Sequence, residues 1–408
     1  MNDAMRILVI FETFSKNMGY MGNMLPKYLA RLGVDVHVMT MDLPHNYYLK
    51  SFNKTYGDFA DSTALSAGTT EIYDGYTLHV LPHKRVLGYM RMVGSWSKLR
   101  VIRPHIVQSL PAIGWIPLDA SLAQPFLRYK LFTGSHTTAS TFPLARREAP
   151  IWHKEQLKCF VTRTVPGRLV SFATQKCYCP TQDCAEIAWR FFGVQRQKVE
   201  VMHLGVDTDF FFPVTSKATA QERAALRQQL GFSADDIVCI YTGKFTEEKN
   251  PLILAKAVAQ LRSKGESFCG LFIGDGIQKE AIQTHPWCKV LGFMPFQQLG
   301  VYYRAADIGV WPTNESTSML DAAACRLPLI VSDGIIDRAH VEGNGLVYKM
   351  NDLDSLVSAL LSLRTSEVRN RLGVVGADKM ARYYSWDAIA RRRLSDYDAA
   401  LASQNDKS

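Results

Sequence analysis

Short apolar runs alternate with helical spacing of apolar residues along this chain. The run Arg6-Ile-Leu-Val-Ile-Phe11 has the continuous apolar character of a buried parallel strand. Apolar residues at helical spacing follow at 24–32, Gly33 ends them, and a second strand is predicted at 34–39. A strand, a helix and a strand in this order predict a right-handed parallel crossover.

The same alternation continues in two blocks. Further strands are predicted at 77–81, 106–109, 130–134 and 199–203. A polar stretch at 207–236, with a helix predicted at 220–230, is interpreted as the connection between two domains. Beyond it, strands are predicted at 237–241, 270–273, 290–292, 308–311 and 329–332, and helices at 251–261, 296–305 and 320–326. Two such blocks predict an α/β protein of two facing Rossmann-like, doubly wound domains, with a cleft between them as the expected ligand site.

Composition narrows the class of protein. Of the 408 residues, 47% are hydrophobic and 21% are charged, which excludes disorder, collagen and coiled coil. The apolar run near residue 6 is too short for a signal peptide, and no stretch is apolar for long enough to span a membrane. Eight cysteines are too few for a disulfide scaffold, so we expect a cytoplasmic location, with the inner face of the membrane as a further expectation.

Positive charge is concentrated in one region of the first half. Residues 75–147 contain ten basic residues and one acid, a field that attracts nucleic acid, anionic lipid or a phosphorylated substrate. Formed as a helix, residues 86–103 would be basic and amphipathic, which suits either a bilayer interface or packing on the first sheet. We expect peripheral contact between the 75–147 region and an anionic membrane. Nucleic acid is not expected as a partner, because no recognition motif accompanies the charge.

Candidate phosphate-binding residues follow the strands of the second block. Lys244 and Lys249 stand between a strand end and a helix that begins near Pro251, an arrangement that suits a diphosphate. Gly274 opens a tight glycine turn after the next strand, and Phe293 follows another strand where the chain could pass close to a base. In the simpler interpretation, the lysines are solvated and the glycines only turn the chain.

The densest pattern runs from Trp311 to Ser332 and joins a strand, a loop of hydroxyl residues and an alanine-rich helix. Main-chain N–H groups at the helix start can hold a phosphate, and carboxylates can accept hydrogen bonds from sugar hydroxyls. The candidates are Ser316, Thr317, Ser318 and Met319 for the phosphate, and Glu315 and Asp321 for the hydroxyls. Otherwise Glu315 is solvated and Asp321 complements the helix dipole.

The chain resembles the family-4 glycosyltransferases of GT-B architecture from about Met5 to about Leu401. The resemblance rests on a series of stretches in chain order: Gly19 and Gly22, residues 202–213, Gly243-Lys244 with Lys249, Gly274-Asp275-Gly276, residues 311–332, residues 342–347 and Tyr384-Ser385-Trp386. It implies an acceptor-binding domain at 1–210, a nucleotide-sugar donor domain at 211–382, and a C-terminal helix at 383–408 that crosses back to the first domain.

The resemblance also implies an activity and residue roles. The expected reaction is retaining transfer of a hexose from a nucleotide-diphosphate sugar to an acceptor, here a lipid-linked or cell-surface saccharide precursor of polysaccharide biosynthesis. Lys244 and Lys249 would bind the diphosphate, and Glu315 and His136 would contact the transferred sugar. Asp321 would contact the ribose, and Gly19, Gly274 and Phe293 would belong to the donor-binding loops. No metal or further cofactor is expected, because Asp207-Thr-Asp209 is not placed at a strand end.

The chain departs from the family pattern at several positions. Glu315 and Asp321 are six residues apart where the family has acids eight apart, and Thr313 stands at the eight-residue position. Arg326 replaces the usual glycine after Ala-Cys. Many relatives have histidines in a stretch where this chain has Val107-Gln-Ser-Leu110. These departures leave open a catalytically silent sugar-nucleotide-binding subunit, and the same architecture also serves sugar-nucleotide epimerases and glycan phosphorylases.

Overall fold

The computed structural model describes residues 5–16, 18–44, 64–139, 141–146, 154–313, 315–335 and 338–405. Its contacts divide the chain into two compact units. The first unit contains the described residues up to Leu204 together with the C-terminal segment from Ile389. The second unit runs from Gly205 to Ala388.

The first unit is built on an eight-stranded sheet with the order β10-β9-β8-β7-β1-β2-β4-β3, in which every pair is parallel except β3 with β4. Its strands, with the separate hairpin β5–β6, are β1 (Arg6–Ile10), β2 (Asp35–Met41), β3 (Thr70–Tyr73), β4 (Tyr76–Leu81), β5 (His83–Val86), β6 (Tyr89–Met92), β7 (Ile106–Ser109), β8 (Lys130–Gly134), β9 (Thr174–Cys179) and β10 (Val199–Val201). Its helices are α1 (Met21–Arg31), α2 (Ser95–Ile102), α3 (Trp115–Leu127), α4 (Lys154–Cys159), α5 (Val165–Ala173) and α6 (Gln182–Phe191).

The second unit contains a six-stranded, fully parallel sheet with the order β13-β12-β11-β14-β15-β16. The strands are β11 (Ile237–Thr242), β12 (Phe268–Ile273), β13 (Cys288–Leu291), β14 (Ile308–Trp311), β15 (Leu329–Ser332) and β16 (Gly345–Tyr348). The helices are α7 (Lys217–Leu230), α8 (Leu252–Ser263), α9 (Lys279–Gln283), α10 (Phe296–Ala305), α11 (Ser318–Ala324), α12 (Leu353–Ser362) and α13 (Ser366–Lys379). The last helix, α14 (Trp386–Asn405), starts in this unit and continues into the first.

Burial of the sheets explains the apolar runs of the sequence. Every residue of β11 and β12 is buried, because helices cover both faces of a parallel sheet. The α/β class with two Rossmann-like domains is therefore confirmed. Among the described residues, no helix combines the length and the apolar character needed to cross a bilayer.

The prediction of an amphipathic helix at 86–103 is wrong. Residues 83–92 form the hairpin β5–β6, whose two-residue turn holds Leu87 and Gly88 at φ values of 49° and 85°. The helix α2 begins only at Ser95. Arg91, predicted on the polar side of that helix, makes a two-pronged ion pair with the buried Asp119 at 2.8 and 2.7 Å.

The polar stretch at 207–236 is part of the second unit and not a free connection. Its helix α7 packs on α10. Arg227, only 6% exposed, donates to the Asp307 carboxylate at 2.9 Å, and Arg223 donates to the same carboxylate at 2.7 Å. The charged composition of this segment therefore reflects an ion-pair network that attaches the helix to its domain.

Candidate functional site

The order of the second sheet locates a ligand site. Chain order reverses between β11 and β14, which are neighbours in space but are separated in sequence by β12 and β13. In open parallel sheets, ligands bind outside the carboxyl ends of the strands at such a reversal. The loop after β11 carries Lys244 and Lys249, and the loop after β14 carries Glu315 and leads into α11.

Lys249 connects these two loops. Its Nζ donates a hydrogen bond to the main-chain oxygen of Glu315 at 3.4 Å, across 66 residues of sequence. The side chain is partly buried, and this burial lowers the pKa of the ammonium group, against the opposing effect of the Glu248 and Glu315 carboxylates. A cation is therefore positioned beside the loop that precedes α11, where the sequence predicted a phosphate.

Lys244 has a different environment. Its main-chain oxygen accepts a hydrogen bond from the Tyr241 hydroxyl at 2.9 Å, which fixes the backbone at the end of β11. Its side chain is exposed to solvent. Both predicted lysines therefore lie in the loop after β11. Lys249 contacts the Glu315 loop, and the side chain of Lys244 is exposed to solvent.

The predicted glycine turn holds two loops in backbone contact. Gly274 has a φ of 152°, and a Cβ atom there would lie 1.8 Å from the main-chain oxygen of Gly243. The N–H of Phe245 donates to the oxygen of Asp275 at 2.8 Å. Only glycine fits this approach, so Gly274 positions the Lys244 backbone irrespective of any direct ligand contact.

The start of α11 is organised by hydroxyl groups. The indole N–H of Trp311 donates to Ser318 Oγ at 3.1 Å, and the Oγ atoms of Ser316 and Ser318 are 2.7 Å apart. Thr317 is the residue that precedes the helix. The N–H of Met319 donates to the oxygen of Ser316 at 3.1 Å, so this amide, predicted to face a phosphate, is engaged within the turn.

The two acids of this loop occupy unlike environments. Glu315 is exposed. Part of Asp321 also reaches solvent, yet burial of its carboxyl group raises its pKa well above the ordinary value, and the nearby Asp207 acts in the same direction. The role suggested by the sequence for Asp321, an acceptor of hydrogen bonds from the ribose, stays a prediction. Thr313, at the eight-residue position, is buried, and within the described part of the chain its Oγ1 meets no hydrogen-bond partner.

The remaining predicted residues lie outside these two loops. His136 follows β8 in the first unit and is exposed as a residue. Desolvation of its imidazole by the surrounding protein nevertheless lowers its pKa, and the Arg393 guanidinium acts in the same direction. Gly19 is exposed in the loop between β1 and α1. Phe293 is partly buried after β13, two strands from the reversal point. In the described ranges, no group of His, Cys, Asp and Glu side chains could hold a metal ion.

A buried polar cluster of the first unit was not predicted. Gln108 Oε1 accepts hydrogen bonds from Arg393 Nη1 at 3.1 Å and from the Tyr397 hydroxyl at 3.0 Å. The Arg393 guanidinium, 2% exposed, lies 3.3 Å from the centre of the Tyr178 ring. The available signal was a glutamine inside the buried strand Ile106–Ser109, at the place where the chain departs from the family pattern.

Family models match both halves of the chain. The model described as Glycosyltransferase Family 4 matches residues 24–210, and the model described as Glycosyl transferases group 1 matches residues 236–366. The chain belongs to the family-4 glycosyltransferases. The resemblance seen in the sequence is thereby confirmed.

Curated relatives of this glycosyltransferase are distant. A D-inositol 3-phosphate glycosyltransferase of Xylanimonas cellulosilytica is 28% identical over 253 residues, which is 58% of this chain and 60% of the relative. This glycosyltransferase spans about half the length of the curated relatives it matches, from 51% to 60% in three of them.

Solved structures share the fold over the whole chain. A glycosyltransferase from Rickettsia africae ESF-5 has a TM-score of 0.65 at 13% identity, over 98% of this chain and 99% of that one. Anabaena Alr3699/HepE, solved in complex with UDP, has a TM-score of 0.64 at 14% identity, over 97% and 100%. At these identities the likeness establishes the fold, GT-B, of this family-4 glycosyltransferase.

Proposed function

We propose that this chain transfers a sugar, a hexose, from a nucleotide-diphosphate sugar to an acceptor hydroxyl, with retention of anomeric configuration. The observation that carries the proposal is the Lys249 ammonium, hydrogen-bonded to the Glu315 main chain at the reversal point of the second sheet. The Anabaena neighbour, which was solved with UDP and also with UDP-glucose, supports a nucleotide-sugar donor.

In this proposal the second unit binds the donor. The Lys249 ammonium neutralises the diphosphate, and the exposed Lys244 adds a second charge from the same loop. The amides and hydroxyls before α11 provide further hydrogen bonds to the phosphate. The Gly243–Gly274 contact keeps the Lys244 backbone in place, so that few groups have to rearrange during the reaction.

The proposed chemistry needs no enzymic nucleophile. The bond between the anomeric carbon and the diphosphate oxygen breaks while the acceptor oxygen bonds to the same face of that carbon. The departing phosphate oxygen accepts the acceptor proton, and the lysine charge stabilises the negative charge that develops on the diphosphate. Exposed Glu315 is proposed to bind a donor hydroxyl, and the neutral ring of His136 is proposed to exchange one hydrogen bond with the transferred sugar.

The acceptor is proposed to be a saccharide, lipid-linked or otherwise anionic, as in the synthesis of a cell-surface polysaccharide. The ten basic residues within 75–147 favour an anionic acceptor or its membrane. The Xylanimonas relative, named for a phosphorylated inositol, is consistent with an anionic acceptor.

A donor screen tests the proposal. Thermal unfolding is measured with UDP-, GDP-, ADP- and dTDP-sugars, because a ligand at about 100 times its Kd stabilises by roughly 2.7 kcal/mol. The donor that shifts the midpoint is then incubated with candidate acceptors, and release of nucleoside diphosphate is measured together with the anomeric configuration of the product by NMR. Binding without product formation in any combination would refute transfer, and an inverted product would refute retention alone.

A further inference from the structure

The helix that follows the basic region of the first unit exposes a stripe of large apolar side chains. Helices α4 and α5 are joined by a π turn at Phe160–Thr164 into one continuous bulged helix. Six residues form what we call the apolar face, each with 45% to 65% of its surface exposed: Leu157, Phe160, Val161, Val165, Leu169 and Phe172. Monomeric proteins rarely expose contiguous apolar surface of this kind without a partner.

The π turn brings these residues into line. At 3.6 residues per turn, positions 157, 160 and 161 share one side of the helix, and positions 165, 169 and 172 share another, about 100° away. A π turn adds one residue to a turn and rotates the following helix back by about the same angle. The two groups therefore form a single stripe, opposite the buried Cys159, Gly167 and Ser171.

The inward side of this helix is firmly packed, so the exposed stripe is not part of a loosened core. Thr164 Oγ1 donates to the oxygen of Phe191 at 2.6 Å. A Cβ atom on Gly167 would lie 1.9 Å from the oxygen of Phe192. At the end of the helix, Lys198 Nζ donates to the oxygen of Ser171 at 2.7 Å.

The neighbouring helix extends the apolar surface. α3 packs against α5, and both belong to crossovers between consecutive parallel strands, which places them on the same side of the sheet. α3 exposes Leu122 and Phe126 on its outer side.

Basic side chains surround this surface. Counting positions around the bulged helix places Lys154 and Lys158 on one flank of the apolar face and Arg168 on the other, all exposed, and Glu155 is the one acid between 154 and 173. Where α2 and α3 end, a cavity of about 810 Å³ is lined by arginines and apolar side chains, namely Arg100, Arg103, Arg128, Phe126, Leu127 and Leu401. Cations that flank an apolar stripe complement lipid phosphates at a bilayer interface.

We propose that the apolar face, with its basic flanks, docks this protein on an anionic phospholipid bilayer. A second copy of the chain suits the surface less well, because a two-fold interface would bring the like-charged flanks together. The apolar face itself lies at 154–173, outside the 75–147 region considered from the sequence, and the exposed residues of α3 and the arginines of the cavity beside it belong to that region. It makes no use of the transfer reaction, so the two proposals can fail separately.

Vesicle co-sedimentation tests this proposal with the full chain. Vesicles of phosphatidylcholine alone are compared with vesicles that also contain phosphatidylglycerol, at low and at high salt. The test variant is Leu169→Ser with Phe172→Ser. The matched control is Val374→Ser with Val375→Ser, two exposed valines of α13 in the other unit. Circular dichroism and sedimentation velocity are recorded for each protein without vesicles.

We expect the wild type and the control to bind the anionic vesicles and to dissociate at high salt. The test variant should bind roughly tenfold more weakly or worse, because two large apolar side chains no longer enter the interface. Lys154→Ala and Lys158→Ala should each weaken binding roughly fivefold. Any of three results would overturn the proposal. The wild type could bind both kinds of vesicle equally, the test variant could bind as well as the wild type, or the wild type could be a dimer that the test substitutions dissociate. The donor-dependent thermal shift of the test variant, which should match the wild type, reports separately on the proposed function.

Discussion

Replacement of Lys249 by alanine removes the cation that joins the two loops at the reversal point. The ammonium is partly buried and lies 3.4 Å from the main-chain oxygen of Glu315. For a diphosphate bound in direct contact with this ammonium, we take a charge separation of about 4 Å. At an effective dielectric constant of about 20, unit charges at that distance interact by roughly 4 kcal/mol. Residual solvent access reduces this to about 2–3 kcal/mol, and kcat/KM should fall roughly 30- to 150-fold.

The assay compares three variants with the donor found in the thermal-shift screen. Lys249→Arg keeps the charge and should retain most of the activity. Lys256→Ala removes an exposed lysine of the following helix α8 and should leave kcat/KM within about twofold, because exposed charges contribute little. If Lys249→Ala were as active as Lys256→Ala while both remained folded, the diphosphate would have to bind elsewhere.

The pH profile provides an independent check of the same lysine. Burial lowers the pKa of Lys249, so its ammonium loses the proton at a lower pH than an exposed lysine would. Donor affinity should therefore fall as the pH rises through this lowered pKa. Lys249→Arg should retain donor affinity over the same alkaline range, since a guanidinium stays protonated there. A wild-type profile that matched the arginine variant at alkaline pH would contradict this reasoning.

Three further outcomes are expected. Gly274→Ala places a Cβ atom 1.8 Å from the Gly243 oxygen, so it should destabilise the fold by several kcal/mol and abolish the donor-dependent thermal shift. Gly292→Ala has open space around the new Cβ atom and should leave both the stability and the thermal shift unchanged. Arg326 follows the end of α11 with a φ of 68°, a left-handed conformation that glycine adopts without strain. Arg326→Gly should therefore raise the free energy of unfolding by about 0.5–1 kcal/mol in urea titrations. Arg326→Ala keeps a Cβ atom and should give no such gain. Burial lowers the pKa of His79 to about 4, so the unfolded chain binds the proton at a higher pH than the folded chain does. The free energy of unfolding should therefore fall as the pH drops below about 6.5, by up to about 1.4 kcal/mol per pH unit. His79→Gln should flatten this loss in thermal unfolding.

Buried parallel strands were the most predictable elements. The bounds predicted at 106–109, 130–134, 308–311 and 329–332 are those of β7, β8, β14 and β15. Such strands are apolar on both faces, so their sequence signal is continuous and stops where the chain leaves the sheet. The helix predicted at 296–305 also has the bounds of α10, because its apolar spacing begins directly after Pro295.

Elements that depend on local turns were harder to predict. In residues 83–92 the burial alternates along β6, with Met90 and Met92 inside and Tyr89 and Arg91 half-exposed. An alternating strand followed by a short helix resembles one long amphipathic helix when the turn at Leu87 and Gly88 is overlooked. A left-handed leucine gives no sequence signal of its own, although the glycine beside it does.

For the candidate site, the sequence indicated residue types but not the contacts between them. Lys249 and Glu315 were both candidates from sequence, but their hydrogen bond depends on β11 and β14 being neighbours in the sheet. Sheet order is set by tertiary packing, which a single sequence does not encode locally. The raised pKa of Asp321 also depends on tertiary packing, because burial of its carboxyl group is the main cause and Asp207, from a segment more than a hundred residues earlier, adds to it.

Arg326 and Gln108 show that departures from a family pattern have different physical meanings. Arg326 occupies a left-handed position at a helix end, where its N–H donates to the oxygen of Ala323 at 3.0 Å, and the family glycine would adopt this geometry without strain. There the arginine carries a conformational cost in the backbone. Gln108 instead accepts two hydrogen bonds in a site with no solvent access, and one donor is the nearly buried Arg393. Since a buried guanidinium without acceptors is strongly unfavourable, Gln108 and the C-terminal helix depend on each other. Desolvation is the main cause of the lowered pKa of His136, and the positive charge of Arg393 adds to it.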